Sequence, residues 1–274
     1  RDSLMTGVKY GVFDLERLIL GLVVIEDGQD RYLGVREHDV PALDQYLTAR
    51  YSMHAQVYGH KTRLATDLML GLAIMMAIEE GDKKVKDAYT YLPGDEASLR
   101  KYLEFDDRQL LSHLTSSSSQ HAKHLADRLL ERRLVKRVFD LPLSELKDDT
   151  LVGNLTDDQA RDSALKKLSD GIPSNLCDIT SECLFVEVLA SKAVRKSSKP
   201  DRPDPNEIKI KTEYSKEAKS LTEVSGFFRD YKHTPSYRLV VYCNIDPGNG
   251  QSHEDCRDRI VEVVNQQLGT NQHG

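Results

Sequence analysis

The sequence has no excess of positive charge, because 38 lysines and arginines stand against 44 aspartates and glutamates in 274 residues. The resulting net charge of −6 excludes a global electrostatic attraction to nucleic acid or to an anionic membrane. Any surface that binds phosphate must therefore be local.

Cysteine is scarce as well, and the four that occur form no C-x-x-C pair: Cys177, Cys183, Cys243 and Cys256. This spacing does not favour a zinc site, and the sequence shows no signal-peptide pattern at its start, which together favour a reducing cytoplasm. The longest apolar run, residues 68–78, is shorter than the roughly 20 residues that span a bilayer. We therefore expect a cytoplasmic protein without a membrane partner, and a core helix at this run.

The sequence also lacks an initiator methionine, because it opens with Arg1 in the string "RDSLMTGVKYG". These first residues read as the end of a helix that is already under way. We expect the chain to be a fragment of a longer protein.

The pattern along the chain predicts a mostly α fold with a smaller α+β C-terminal part. We place a boundary near residue 150, between a helical part at 1–150 and an α+β part at 151–274. Residues 14–36 read as a β-hairpin, with its two arms inside 17–36 and a turn at Asp27-Gly28. The strings "CLFVEVLA", "NEIKIKT" and "SYRLVVYC" predict a C-terminal antiparallel sheet.

A helix is predicted from Asp39, whose side chain would cap it, through Pro41 in the first turn to about Tyr58. Gly59 permits a break, and a second helix follows at about 61–80. Residues 191–205, rich in Pro, Ser and Lys, read as a linker; their basic tract is the best local argument for a nucleic-acid partner, which we consider unlikely.

The string "ARYSMHAQVYGHKTR", residues 49–63, places polar groups on the apolar side of the first of these helices. At about 100° per residue, Arg50, His54 and Tyr58 fall in the same sector as Leu43 and Leu47. The opposite side carries small or neutral residues, among them Ala49, Ser52, Ala55, Gln56 and Gly59.

An inward arginine needs a partner, because an unpaired buried charge costs several kcal/mol. From periodicity alone, an internal ion-pair network and an anion-binding pocket both remain open. The residue types favour the pocket, since an Arg fork and a Lys suit phosphate oxygens, while a His and a Tyr suit proton transfer or a sugar. The dipeptide His38-Asp39 resembles a metal-ligand pair, but the capping role of Asp39 argues against that reading.

With these residues in view, the chain resembles the HD-domain deoxynucleotide triphosphohydrolases. The resemblance runs from "RDSLMTGVKYGVFDLERLI" through "RYLGVREHDVPALDQYLTARYSMHAQVYGHKTR" and weakens after about residue 80. Its most specific part is the string R-x3-H-x3-Y-x-H-K. It implies HD-phosphohydrolase-like helices and an activity that converts a deoxynucleoside triphosphate (dNTP) and water into the deoxynucleoside and triphosphate.

The resemblance also implies roles for individual residues. Asp2 matches the aspartate that contacts the deoxyribose hydroxyl, and Tyr58 the tyrosine at the sugar. Arg50 and His54 match groups that face the triphosphate. Four further residues match the contacts to an activating nucleotide between subunits of a dimer or tetramer: Arg17, Arg36, His60 and Lys61. His38 stands where some relatives have a lysine.

Family members hold a divalent metal with a His and Asp set, and that HD box is absent from this sequence. We therefore expect the complete protein to use a divalent metal, and this chain alone to hold none and to be inactive. The alternative function is a noncatalytic module that senses nucleotides or mediates oligomerisation. Such a module would bind nucleotides through Arg17 and Arg36 and would catalyse no reaction.

Overall fold

The computed structural model describes residues 2–27, 30–89, 94–173, 183–191, 208–214, 217–228, 236–245 and 252–270. Its contacts divide the chain into two units. The first comprises Arg1–His60 and Ala190–Ser236, and the second comprises Lys61–Leu189 and Tyr237–Gly274.

The first unit combines short helices with a small mixed sheet. Its helices are α1 (Asp2–Thr6), α2 (Leu15–Leu20), α3 (Val40–Met53) and α11 (Leu221–Val224), and its strands are β1 (Leu22–Asp27), β2 (Asp30–Arg36), β5 (Lys209–Lys211) and β6 (Lys219–Ser220). The strand order is β1-β2-β5-β6, with β1 antiparallel to β2 and β5 parallel to β2. Leu43 and Leu47 of α3 pack on Val35 and Ile210 of this sheet.

The second unit is mostly helical around a three-stranded sheet. Its helices are α4 (Lys61–Glu79), α5 (Lys83–Tyr89), α6 (Glu96–Glu104), α7 (Asp107–Thr115), α8 (Gln120–Leu130), α9 (Asp149–Thr156), α10 (Arg161–Asp170) and α12 (His253–Leu268). Its strands are β3 (Lys136–Pro142), β4 (Leu184–Ser191) and β7 (Ser236–Cys243), in the order β3-β7-β4.

Strand β7 is buried on both faces because its side chains alternate between two cores. Leu239 and Val241 belong to a core with α12, whereas Val240 and Tyr242 belong to a core with α4 and α8. A continuous apolar run is what a strand covered on both sides requires. The string "RLVVYC" is such a run.

Helix α4 approaches its neighbours closely because small residues recur on one of its faces. Ala65, Met69, Ala73 and Ala77 follow one another at four-residue spacing and are almost completely buried. They pack with Ala122 and Leu125 of α8. Four-residue spacing puts these side chains on one face of the helix, so the apolar run 68–78 is a core helix, as predicted.

The fold class is confirmed as mostly α with smaller sheets, and the β-hairpin is present. Residues 15–20, however, form helix α2, because the side chain of Asp14 accepts the backbone N–H of Arg17 as an N-cap and Gly21 ends the helix. The hairpin therefore begins at Leu22; its predicted turn residue Gly28 lies outside the described residues. The strand from "NEIKIKT" joins the sheet of the first unit, so the predicted C-terminal strands do not form one sheet.

The contacts also group the chain differently from a division near residue 150. Strand β3 lies before that position and pairs with β7 after it, while β2 pairs with β5. Of the cysteines that the structure describes, Cys183, Cys243 and Cys256 are buried. Cys177 and residues 192–205 of the predicted linker 191–205 lie outside the described residues, whereas Ser191 ends β4. Within the described part of the chain, no helix is long and apolar enough to cross a membrane.

Candidate functional site

The polar stripe of α3 continues into a single π-helical turn, His54–Tyr58. The turn closes at Gly59, whose backbone N–H donates to the carbonyl of His54 over 2.8 Å. A Cβ atom at Gly59 would lie 2.9 Å from that carbonyl oxygen, so a larger residue would push the turn open. Such π turns are rare and are frequent at functional sites.

The π turn brings together three of the residues that the sequence singled out. The hydroxyl of Tyr58 donates to Oδ2 of Asp2 over 2.5 Å. The rings of His54 and Tyr58 meet edge to face with centroids 5.0 Å apart. A carboxylate from the first helix and two aromatic side chains from the π turn thus form one cluster.

Electrostatics tie Arg50 to the same cluster. Its guanidinium lowers the pKa of His54, although burial of the imidazole is the larger cause of that lowering. The pKa of Tyr58 is raised, chiefly by the hydrogen bond to Asp2, while Arg50 acts in the opposite direction. Both directions favour a neutral imidazole and a protonated phenol at neutral pH, and the phenol donates its proton to Asp2.

One expectation about this stripe was wrong. Arg50 is exposed rather than buried, and His54 and Tyr58 are half-buried, whereas Ala49 on the opposite side is buried. In α3, Leu43 and Leu47 belong to the core on the sheet, and Met53 is buried in the last turn. The polar stripe is therefore only partly buried, and the side chain of Arg50 is in solvent.

The two arginines predicted to bind an activator meet at a buried carboxylate. Oδ1 of Asp39 accepts from Nε of Arg17 over 3.4 Å, and Oδ2 accepts from Nε of Arg36 over 3.1 Å. The side chain of Asp39 is 8% exposed, against 53% for Arg17 and 50% for Arg36. Each guanidinium is therefore anchored on one side and open to solvent on the other.

Backbone carbonyls hold the same two arginines in place. Nη2 of Arg17 donates to the carbonyl of His38 over 3.1 Å, and Nη2 of Arg36 donates to the carbonyl of Leu20 over 2.6 Å. Gly21 makes the arrangement possible, because a Cβ atom there would lie 2.6 Å from Cβ of Asp39. We call Arg17, Arg36 and Asp39 the Asp39 cluster.

The prediction that Asp39 caps α3 was wrong, because its side chain makes no capping hydrogen bond. Both of its oxygens are taken by the arginines instead. His38 is beside it, with Nδ1 4.0 Å from Oδ1 of Asp39. Among the residues the structure describes, no group of three or more His, Cys, Asp or Glu side chains could hold a metal ion. The guanidinium groups of Arg17 and Arg36 already flank Asp39, so the His38-Asp39 dipeptide does not fit a metal ion.

The last two predicted residues lie on either side of the boundary between the units. His60 is exposed in the first unit. Lys61 begins α4 in the second unit, where it lines a cavity of about 790 Å³. Five cationic side chains line this cavity against two carboxylates, those of Asp140 and Glu254: Lys61, Arg132, Lys136, Arg137 and Arg257.

Sequence reasoning missed the basic cavity, although the string "ERRLVKR" contains three of its cations. Arg132 has a left-handed backbone, with φ of 58°. This conformation ends helix α8, because the backbone N–H groups of Arg132 and Arg133 donate to the carbonyls of Leu129 and Arg128, as is common at a helix C-terminus. A local cavity with a positive lining is the kind of surface that a chain of net charge −6 needs in order to bind phosphate.

Comparison with known families gives these features a context. The profile of the HD associated region matches residues 13–263. The chain belongs to the HD associated region family. The match takes in α3, the π turn, the Asp39 cluster and the basic cavity, and leaves Asp2 outside.

Individual relatives are more distant. The uncharacterized protein MJ1154 of Methanocaldococcus jannaschii is 28% identical over 114 residues, which is 42% of this chain and 25% of that protein. The uncharacterized protein YwfO of Bacillus subtilis is 26% identical over 156 residues, 53% of this chain and 35% of that protein. This HD associated region thus matches only a minor part of each relative's length.

A solved structure shares the fold. The crystal structure of a phosphohydrolase from Bacteroides thetaiotaomicron superposes with a TM-score of 0.59 at 19% identity, over 89% of this chain and 59% of that one. At this identity, the likeness shows that the two chains share a fold.

Proposed function

We propose that the chain is part of an HD-family dNTP triphosphohydrolase and supplies contacts to the sugar, the phosphates and an activating nucleotide. The observation that carries the proposal is the cluster in which Tyr58 bonds Asp2 beside His54 and Arg50. A hydrogen-bonded carboxylate and phenol suit a sugar hydroxyl, which needs one acceptor and one donor. An exposed guanidinium suits phosphate oxygens, which it can bind with two parallel N–H donors.

In this proposal the residues act by positioning and electrostatic stabilisation. Arg50 would hold the negative charge of the triphosphate, and the neutral His54 would donate to it. Because phosphate charge favours the imidazolium, His54 would take up a proton when the nucleotide binds. The resemblance implies a divalent metal in the complete protein, but no group of three or more His, Cys, Asp or Glu side chains among the described residues fits such an ion.

The Asp39 cluster and the basic cavity support the regulatory part of the proposal. Arg17 and Arg36 keep their outer N–H groups in solvent, where they would meet the phosphates of an activator. Lys61 with Arg132 and Lys136 would bind a second anionic group. The complete protein would assemble as a dimer or tetramer in the cytoplasm.

Binding of dNTPs to the 274-residue chain tests the substrate site. By isothermal titration, we expect Arg50→Ala to weaken binding by at least about tenfold, since it removes a charged hydrogen-bond donor. Arg31→Ala is the matched control, because Arg31 is an exposed arginine of β2 paired only with exposed Glu26 among the described ion pairs. Equal losses in the two variants would contradict the pocket.

Activity distinguishes the enzyme from the noncatalytic nucleotide sensor, the second candidate, which the basic cavity favours. We expect the chain alone to bind dNTPs and release no triphosphate with Mn²⁺ or Mg²⁺. A protein that also carries the HD metal motif should release inorganic triphosphate, with kcat/KM reduced by Arg50→Ala. Nucleotide binding without triphosphate release in that protein would favour the sensor.

A further inference from the structure

A groove of about 480 Å³ lies on the first unit, away from the residues assigned above. One wall is the loop 9–12, and the other is the face of α3 that carries Asp44 and Thr48 at four-residue spacing. Phe227 contributes to the lining as well. None of the roles proposed so far uses this groove.

Only one of the two carboxylate oxygens of Asp44 accepts a hydrogen bond from the described residues. Its Oδ2 accepts a hydrogen bond from the hydroxyl of Ser225 over 2.9 Å. Its Oδ1 is buried and accepts no hydrogen bond from the described residues. Burial raises the pKa of Asp44, and the bond from Ser225 offsets this only in part. A buried oxygen without a donor is costly to the fold, which suggests that a ligand supplies the donor.

The groove beside Asp44 suits a cation. Tyr10 and Phe227 line it and are 42% and 60% exposed, and the face of an aromatic ring attracts a cation. Thr48 uses its hydroxyl proton on the carbonyl of Asp44, so its oxygen remains available as an acceptor. Lys9 is also in the lining, but its charge is not among the causes that shift the pKa of Asp44.

We propose that this groove binds a guanidinium group, which pairs with the carboxylate of Asp44 and lies flat against Tyr10 or Phe227. A guanidinium suits the groove better than an ammonium, because it is planar, stacks on aromatic rings and is weakly hydrated. The group comes either from a small free compound or from an arginine side chain of a second copy of the chain. Neither source depends on the dNTP site.

NMR titration of the 274-residue chain with ethylguanidinium chloride tests the site, with sodium chloride at equal ionic strength as the reference. We expect saturable shifts at Asp44 and Phe227. Asp44→Asn keeps the shape and an acceptor for Ser225 but loses the charge, so it should weaken binding by about tenfold or more. Glu26→Gln, which removes an exposed carboxylate elsewhere in the first unit, should leave binding unchanged. Absence of saturation up to about 10 mM, or equal affinity in Asp44→Asn, would overturn the proposal.

Stability measurements separate a binding carboxylate from a structural one. Asp44→Asn should leave the melting temperature equal or higher, because the free chain loses an unsatisfied charge. If Lys9 neutralises Asp44 in solution, Lys9→Met would raise a depressed pKa of Asp44 in a carboxyl NMR titration, and the proposal would fall. Under the proposal, Lys9→Met leaves ethylguanidinium binding intact or strengthens it.

Sedimentation velocity then identifies the source of the group. Self-association that is reduced both by ethylguanidinium and by Asp44→Asn supports an arginine of a second copy. An assembly state that neither change affects, together with saturable binding, supports a small free compound.

Discussion

Replacing Asp39 by asparagine should loosen the first unit, because one buried carboxylate holds two arginines. The two Nε to oxygen distances are 3.4 and 3.1 Å. Fully exposed ion pairs contribute about 0.2–1 kcal/mol, and breaking a buried pair costs about 3–5 kcal/mol. Asp39 is buried but both arginines are half-exposed, so the contribution of each ion pair should lie between the values for exposed and buried pairs and nearer to the value for exposed pairs. We expect a loss of about 2 kcal/mol in the free energy of unfolding for the two pairs together.

Hydrogen-exchange mass spectrometry can follow this loss in the first unit alone. A loss of about 2 kcal/mol corresponds to roughly 30-fold faster exchange of amides that open with the unit. Peptides from β1 and β2 should show it, because Arg36 ends β2. Asp67→Asn is the control, since Asp67 is an exposed partner of Arg63 on α4 and should change exchange little.

A second variant reaches the same cluster without changing a charge. Gly21→Ala places a methyl group 2.6 Å from Cβ of Asp39, so Asp39 must move and the arginine contacts lengthen. We expect the same peptides to exchange faster. If both Asp39→Asn and Gly21→Ala change exchange in β1 and β2 by less than about threefold, the Asp39 cluster does not stabilise the first unit.

Three further results are expected. Glu187→Gln should raise the melting temperature at pH 7. Burial is the main cause that raises the pKa of Glu187 and Asp162 a smaller one, against the opposing charge of Arg161, so the folded state binds the carboxyl proton more tightly than the unfolded state does. The gain in melting temperature should therefore vanish as the pH falls below the ordinary pKa range of a carboxyl group, and a gain independent of pH would contradict this cause. Asp2→Asn should lower the pKa of Tyr58 in an NMR titration of the tyrosine ring carbons, since the hydrogen bond to Asp2 is the main cause that raises it; an unchanged value would mean that the bond does not form in solution. Leu125→Ala should cost about 2–5 kcal/mol in urea unfolding, because Leu125 is fully buried, whereas Leu103→Ala, at a residue 71% exposed, should cost under about 0.5 kcal/mol.

The sequence predicted the features that depend on local periodicity. Arg50, His54 and Tyr58 are spaced to share one side of a helix, and the structure does bring His54 and Tyr58 together. The apolar run 68–78 and the string "RLVVYC" carried enough information to predict a core helix and a strand. Asp2 entered only through family resemblance, because it lies 56 residues from Tyr58 in sequence.

Features that depend on distant contacts were not predictable. The string "LERLIL" suits either a strand or a helix, and the cap made by Asp14 decides for the helix. The role of Asp39 depends on Arg17, which lies 22 residues away, and local reasoning therefore assigned it to a cap. The cations of the basic cavity come from α4, the turn after α8, β3 and α12, which only the folded chain brings together.

The strand order β3-β7-β4 has a consequence for synthesis on the ribosome. Phe139 of β3 emerges roughly 100 residues before Val241, its partner across the ladder. At about 5–20 residues per second, β3 waits for roughly 5–20 s without its central neighbour, and β4, which ends at Ser191, waits about half as long. Until β7 arrives, their apolar faces and unpaired edges are exposed to other nascent chains. A chaperone that binds β3 and β4 during this interval would raise the yield of folded protein, and chains released before residue 236 would be prone to aggregate.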